Sequence, residues 1–139
     1  MRNKIVVIGC GRFGARIANE SSADGDNVVI VDSDSSSFDR LNDDYSGYTV
    51  TCDATDISSL EEEGYIKDAY RLVIATGNDN VNLFLSHVAA SIYGVPEIFV
   101  RFNDPNFASL VKGMNIKAIY PFELSLKKYQ ALSSGRKDS

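Results

Sequence analysis

Three glycines and one aspartate have the types and the spacing of a site for nucleotide phosphate and ribose. Gly9, Gly11 and Gly14 follow the apolar run Lys4–Ile8, and Asp32 ends a second apolar run 18 residues after Gly14. Glycine permits a tight turn after a strand, lets the backbone approach a pyrophosphate and lets a helix pack closely on a sheet. The N–H groups at the start of that helix attract phosphate, and a carboxylate at this distance can accept hydrogen bonds from both ribose hydroxyls. The pattern predicts a nucleotide-binding turn.

Polar residues also follow the other predicted strands, and the carboxyl ends of parallel strands meet at one edge of a sheet. In the glycine turn, Arg12 can bind a terminal phosphate through paired charged hydrogen bonds, or it is a solvated charge at the helix start. Arg101 is a second candidate for a phosphate or a partner's carboxylate, or it belongs to a structural ion pair. The candidate binding residues are Gly9, Cys10, Gly11, Arg12, Phe13, Gly14, Asp32, Ser33, Cys52, Asp53, Ala54, Thr76, Gly77, Asn78, Arg101 and Glu123.

The residues after the second strand disfavour a 2′-phosphate on the ribose. Serines occupy position 33 and positions 35–37, where a domain that binds NADP usually carries an arginine, and Arg40 lies a further turn away. Asp32 and Asp34 would repel the extra phosphate. We therefore predict NAD(H) or an adenine nucleotide (ATP, ADP or AMP) as the ligand, and not NADP.

No catalytic or metal-binding set follows from the spacing. His87 is the single histidine and is predicted in the middle of a helix, where a structural role is expected. Cys10 and Cys52 are predicted at the ends of the first and third strands, about 10 Å apart. That distance exceeds the roughly 7 Å reach of a disulfide, and free thiols fit a reducing compartment. Two cysteines and one histidine are too few for a metal site, so we predict neither metal nor catalysis.

Six short β-branched runs alternate with helical patterns along the chain. This predicts an α/β fold, a Rossmann doubly wound parallel sheet in the order 3-2-1-4-5-6 with helices on both faces. Residues 1–132 are predicted to form this nucleotide-binding domain, and residues 133–139 a polar tail. Short helices are predicted from Asp34 or Ser35 to about Asn42 and from Asp104-Pro105 onward.

The net charge of −5 is unevenly spread, with 14 acidic and 6 basic residues in 1–70 against 5 and 8 in 71–139. An acidic chain without a basic stripe is a poor ligand for nucleic acid. No run approaches the roughly 20 apolar residues of a membrane span, and the apolar start is too short for a signal peptide. We predict a cytoplasmic protein that neither binds nucleic acid nor inserts into a membrane.

The predicted last helix, Pro121 to about Leu132, carries more apolar residues than one stripe. One face of the helix can pack on its own sheet, and the remaining apolar residues need another surface to pack against. This predicts at least a dimer; the alternative is a monomer whose last helix covers the last strand. The apolar residues are Phe122, Leu124, Leu126, Tyr129, Ala131 and Leu132.

Several of these segments together resemble one family, the RCK N-terminal (TrkA-N) domains, regulators of potassium conductance in the Trk and Ktr uptake systems. The more specific parts are the Arg-Phe inside the glycine turn and the Arg-Phe-Asn-Asp-Pro segment, and the resemblance covers nearly the whole chain. The similar segments are 6–14, 53–56, 75–82, 94–96, 101–105 and 120–124.

The resemblance implies a cytoplasmic regulatory subunit that binds NAD(H) or ATP, ADP or AMP. Such subunits dimerise, assemble as rings beneath a membrane-embedded potassium transporter, and so lie at the inner face of the membrane through that partner. In the family the last helix crosses to the neighbouring subunit. The matching ligand positions are the glycine turn with Arg12, then Asp32, Asp53-Ala54, Thr76-Gly77, Arg101 and Glu123.

The chain departs from the family pattern in two places. Cys52 stands where a glycine is common before the aspartate, so the adenine pocket is expected to differ. The family's usual C-terminal domain has no counterpart in the 139 residues, which leaves a truncated or a separately encoded module as the alternatives.

Two other classes of function use the same turn and acid. One is an NAD-dependent oxidoreductase, or the cofactor domain of one. The other is a module that binds an adenosyl ligand such as S-adenosylmethionine. Turnover separates the enzyme from the other two, and an affinity that depends on phosphate separates the regulator from the adenosyl binder.

Overall fold

The computed structural model describes residues 1–137, with side chains through residue 135. Strands and helices alternate along this part of the chain. The strands are β1 (Lys4–Ile8), β2 (Val28–Asp32), β3 (Tyr48–Thr51), β4 (Ala69–Ile74), β5 (Glu97–Arg101) and β6 (Lys117–Ile119). The α-helices are α1 (Arg12–Ala23), α2 (Ile57–Glu62), α3 (Asp79–Ser91) and α4 (Pro121–Lys137). The 3-10 helices are Ser35–Arg40, Ile66–Asp68 and Pro105–Leu110.

The six strands form one parallel sheet in the order β3-β2-β1-β4-β5-β6, which confirms the predicted Rossmann topology. β1 is central: Val7 pairs with Ile30 of β2 on one side and with Val73 of β4 on the other. Residues 5–8 and 28–31 are at most 2% exposed. Their apolar, β-branched composition is typical of strands that are covered on both faces.

Two buried clusters lie on opposite faces of the sheet. Ile5 and Val7 pack with α1 and the 3-10 helix Ser35–Arg40 on one face. Val6 and Ile8 pack with α2, α3 and the 3-10 helix Pro105–Leu110 on the other. The alternation of side chains along β1 therefore divides its residues between two layers of helices, as predicted.

The structure specifies the type of two predicted helices and moves the end of a third. The segments expected as short helices after β2 and β5 are 3-10 helices, each begun by an aspartate side chain, Asp34 or Asp104, that accepts a backbone N–H two residues on. α4 continues to Lys137, five residues beyond its predicted end, so most of the predicted polar tail is helical. Residues 138 and 139 of that tail lie outside the described residues.

The apolar residues of α4 do not pack on the sheet of their own chain. The exposed fractions are 66% for Phe122, 60% for Leu124, 43% for Leu126, 67% for Tyr129 and 60% for Leu132. The expectation that one face of this helix covers its own sheet is therefore wrong for this chain alone. Within residues 1–137, no helix combines the length and the apolar character needed to cross a membrane.

Candidate functional site

The glycine turn joins β1 to α1 by close backbone contacts. Gly9 has φ +103°, and a Cβ there would lie 2.6 Å from the carbonyl oxygen of Ala75. A Cβ on Gly14 would lie 1.8 Å from the carbonyl oxygen of Gly9. Both distances are too short for any side chain. These two glycines fix the turn and let α1 start directly above the end of β1.

The first turn of α1 is open to an anion. Gly11 is the N-cap and offers no side chain to the free N–H groups, and the first turn contains no acidic residue. A Cβ at Gly11 would meet nothing within 4 Å. Exposed Arg12 begins the helix, although the positive end of a helix dipole disfavours a cation. A bound phosphate would satisfy the N–H groups and also compensate this charge.

Asp32 is held in place at the end of β2. Its Oδ2 accepts the N–H of Cys10 at 2.8 Å, and its Oδ1 accepts the N–H of Asp34 at 2.8 Å. Each carboxylate oxygen can accept a second hydrogen bond. The side chain is therefore fixed beside the glycine turn and keeps the capacity to accept from two ribose hydroxyls.

A cavity of about 650 Å³ opens along the carboxyl ends of β1 to β5. This volume is in the range of roughly 300–1,000 Å³ typical of ligand sites. Thirteen of the sixteen predicted binding residues line it, and they come from five different strand ends. They are Gly9, Cys10, Gly11, Arg12, Asp32, Ser33, Cys52, Asp53, Ala54, Thr76, Gly77, Asn78 and Arg101.

The other three predicted residues do not line this cavity. Gly14 is buried within α1 against the carbonyl oxygen of Gly9, where its role is packing. Phe13 packs against the apolar cluster of Ile5 and Val7 on one face of the sheet. Glu123 lies in the first turn of α4, after β6 at the far edge of the sheet. The prediction of Glu123 treated all strand ends alike, whereas the cavity stops at β5.

Sequence reasoning missed the 3-10 helix after β2 as part of the wall. Asp34, Ser37 and Arg40 all line the cavity. A 3-10 helix has three residues per turn, so residues three apart share one side. The signal that could have found them is the Asp-x-x-Ser-x-x-Arg spacing, but the sequence predicted only a short helix here and not its type.

Arg40 ends the 3-10 helix a further turn along the chain, as expected, and it still lines the cavity. Its Nη1 donates to the carbonyl oxygen of Cys10 at 3.3 Å, a contact that the sequence did not predict. The carboxylates of Asp32 and Asp34 lie in the same cavity, and their charge still opposes a 2′-phosphate.

The loop after β3 is folded by its own side chains. Asp53 Oδ1 accepts the hydroxyl of Thr55 at 2.6 Å and its N–H at 2.9 Å. These bonds hold the pKa of Asp53 below its usual value, the hydroxyl being the larger cause. Hydrogen bonds from Ser36, first from its hydroxyl, lower the pKa of Asp34 in the same way. Both loops therefore present fixed carboxylates to the cavity.

Both cysteines are free, as predicted. Burial, with a smaller contribution from the charge of Asp32, raises the pKa of the Cys10 thiol, whose Sγ donates to the carbonyl oxygen of Ser37 at 3.3 Å. Burial, followed by the charge of Glu63, raises the pKa of Cys52. Thiols with raised pKa values are weak nucleophiles, so they form part of the wall.

Arg101 ends β5 at the opposite side of the cavity from Asp32. Its guanidinium carbon lies 5.9 Å from the ring centroid of Phe13, a cation–π distance. Among the described residues its buried Nε has no hydrogen-bond partner. An anionic group in the cavity would supply an acceptor for this guanidinium, so the site fits a ligand that carries phosphate.

The structure gives no sign, among the residues it describes, of a catalytic or metal-binding role for the single histidine. His87 lies in α3, and its Nε2 is 3.0 Å from the carbonyl oxygen of Leu110. Within residues 1–137, no three His, Cys, Asp or Glu side chains are grouped closely enough to hold a metal ion.

The chain matches the family model described as TrkA-N domain over residues 5–121. Among curated proteins, it is 32% identical over 115 residues to the Trk system potassium uptake protein TrkA of Streptomyces coelicolor, covering 83% of this chain and 51% of that protein. It is 31% identical over 112 residues to a TrkA homolog of Methanothermobacter thermautotrophicus, covering 81% and 51%. The chain spans about half the length of these relatives.

Two solved structures share the fold. The TrkA-N domain of the inner membrane protein ybaL from Escherichia coli superposes with a TM-score of 0.81 at 16% identity, over 95% of this chain and 97% of that one. The NAD(P)-binding domain of an exopolyphosphatase-related protein from Archaeoglobus fulgidus has a TM-score of 0.73 at 21% identity, over the full length of both.

Proposed function

The chain belongs to the TrkA-N domain family, and from that premise we propose that it is a nucleotide-binding regulatory domain of a potassium uptake system. The observation that carries the proposal is the pairing of a fixed carboxylate, Asp32, with an uncapped helix start at Gly11 across one cavity. The carboxylate suits a ribose and the helix start suits a phosphate.

The ligand is NAD(H) or one of ATP, ADP and AMP. The predicted adenosine half lies between Asp32 and the loop at Asp53, and the phosphates lie over the glycine turn. NADP is excluded from the proposal because Asp32 and Asp34 would both face the additional phosphate. Arg40 also lines the cavity and donates to the glycine turn, so the proposal against NADP rests on these two carboxylates and not on the absence of an arginine.

The domain acts by binding and not by turnover. Its cavity walls carry fixed carboxylates and guanidinium groups, and both thiols have raised pKa values. Acid–base catalysis needs a group whose protonation changes near the working pH, within reach of the substrate. We therefore assign the site to sensing, where two nucleotides fill one cleft differently and favour different subunit arrangements.

The partners follow from the relatives' names and from α4. Proteins named as Trk system potassium uptake components match the chain, so the proposed partner is a membrane-embedded potassium transporter, with this domain at the cytoplasmic face. The exposed apolar residues of α4 supply the contact to a second copy, in a dimer or a ring.

Calorimetry with a ligand panel tests the proposal: ATP, ADP, AMP, NADH, NADPH, adenosine and S-adenosylmethionine. We expect binding of at least one of the first four that is tighter than binding of adenosine, and weak or no binding of NADPH. Equal affinity for adenosine and its phosphates would favour an adenosyl binder. Steady NADH oxidation with simple carbonyl substrates would favour the oxidoreductase.

A further inference from the structure

Asn82 is a buried polar residue that contacts two residues of one cavity wall without lining the cavity itself. It lies in α3 and is only 1% exposed. Its Nδ2 donates to the carbonyl oxygen of Thr76 at 3.0 Å and to that of Arg101 at 2.8 Å. Its Oδ1 accepts the hydroxyl of Thr76. Both amide hydrogens are used, and this arrangement fixes the orientation of the amide.

These bonds join the ends of two neighbouring strands. Thr76 follows β4 and Arg101 ends β5, and both residues line the cavity. Asp79, one turn earlier in α3, adds a second connection, since its carboxylate accepts the N–H groups of Asn103 at 2.8 Å and Asp104 at 2.9 Å. The first turns of α3 thus set where the β5 loop stands relative to the β4 loop.

The wall that Asn82 holds is the half of the cavity farther from the adenosine. Asp32 follows β2 and Asp53 follows β3, whereas Thr76 and Arg101 belong to β4 and β5 on the other side of β1. We expect a nucleotide whose ribose binds Asp32 and whose first phosphate lies over the glycine turn to extend its remaining groups toward Thr76 and Arg101. AMP has no groups beyond the first phosphate, whereas ADP, ATP and NADH do.

We propose that Asn82 is a positioning residue that sets the selectivity of the cavity for nucleotides with groups beyond the first phosphate. The inference rests on the proposed nucleotide-binding function and concerns the discrimination within it. Loss of the two donated bonds lets the β4 and β5 ends move apart, so Arg101 no longer meets the distal part of the ligand. The adenosine half, held by β2 and β3, is unaffected.

The test compares dissociation constants of AMP, ADP, ATP and NADH for the intact chain and for Asn82→Asp, which keeps the shape but removes both donors. Asn80→Asp is the matched control, because Asn80 is exposed in the same helix and undergoes the same change of charge. Asn82→Ala is the second variant if the buried carboxylate prevents folding, which circular dichroism reports.

We expect Asn82→Asp or Asn82→Ala to weaken ADP, ATP or NADH by about tenfold while AMP changes by less than about twofold. A purely structural role would lower the melting temperature and weaken the binding of all ligands alike. Either that result or unchanged affinities would overturn the inference and leave the proposed function standing. If the intact chain binds none of the four ligands, the proposed function fails and the inference with it.

Discussion

Individual side chains in the site have separate and testable tasks. In the proposed site, Asp32 binds the ribose, Arg12 binds a phosphate and Arg101 meets the distal groups. The types and spacing of these residues predicted that all three belong to one site, and the structure places all three in one cavity. The spacing of Ser37 and Arg40 places them on one side only of a 3-10 helix, and the sequence predicted a short helix without deciding its type.

Replacing Asp32 by alanine is expected to weaken every ligand that contains adenosine by about 2–3 kcal/mol, since charge-assisted hydrogen bonds to the ribose are lost. Calorimetry with ADP and NADH measures the change. Asp39→Ala is the matched control, because it removes the same charge from an exposed position that does not line the cavity. Unchanged affinity of Asp32→Ala for both ligands would remove Asp32 from the site.

Replacing Arg12 by alanine should weaken ATP and ADP more than adenosine, because its guanidinium can bind only the phosphates. The same titrations with the three ligands measure the difference. Arg16→Ala serves as the control, since Arg16 is exposed one turn along α1 and pairs with Glu20 at 2.8 Å. Equal losses for adenosine and ATP would limit Arg12 to a role in the fold.

Helices and strands position these side chains through backbone contacts that the sequence partly reveals. The run of β-branched residues before Gly9 predicted β1, and the order of the sheet followed from the alternation of strands and helices. The Asp-Pro segment at 104–105 predicted a helix start, but the following turn is 3-10. An aspartate cap is compatible with either helix type, so the local pattern does not decide between them.

Two alanine substitutions three residues apart should separate folding from binding. Gly14→Ala places a Cβ 1.8 Å from the carbonyl oxygen of Gly9, and overpacking of this kind costs about 1–3 kcal/mol or more of the free energy of unfolding. Gly11→Ala meets no atom within 4 Å, so its cost is limited to the poorer N-cap, about 1 kcal/mol or less, while it obstructs the phosphate. Urea denaturation and nucleotide titration of both variants check this.

The opposite pattern would contradict the geometry of the turn. If Gly11→Ala unfolds at much lower urea than the unsubstituted chain, Gly11 is required by the fold. If Gly14→Ala is as stable as that chain, the close approach of α1 to the turn is not a constraint.

At the scale of the molecule, the large apolar side chains of the last helix, α4, are exposed among the described residues. The sequence predicted an excess of apolar residues in α4. It could not predict that all the large ones would be exposed, because their burial depends on the direction in which the helix leaves β6. A row of exposed Phe, Leu and Tyr side chains on one helix is typical of an interface between subunits.

We expect the chain to sediment as a dimer or larger assembly at micromolar concentrations, and a version ending at Tyr120 to sediment as a monomer. Analytical ultracentrifugation measures both. The paired change Leu124→Glu and Leu126→Glu should also give a monomer with an intact α-helical spectrum, while Lys127→Ala, also on exposed α4, should not. A monomeric intact chain, with or without nucleotide, would refute the interface.

A crystal structure of the protein with ADP or NADH tests most directly whether this cavity is a nucleotide site. We predict that the ribose hydroxyls donate to Asp32 and that a phosphate accepts the N–H groups at the start of α1, with the distal groups toward Arg101. Two results would contradict that prediction. One is a ligand bound elsewhere on the domain, and the other is a ligand in this cavity with its ribose away from Asp32 and its phosphates away from Gly11.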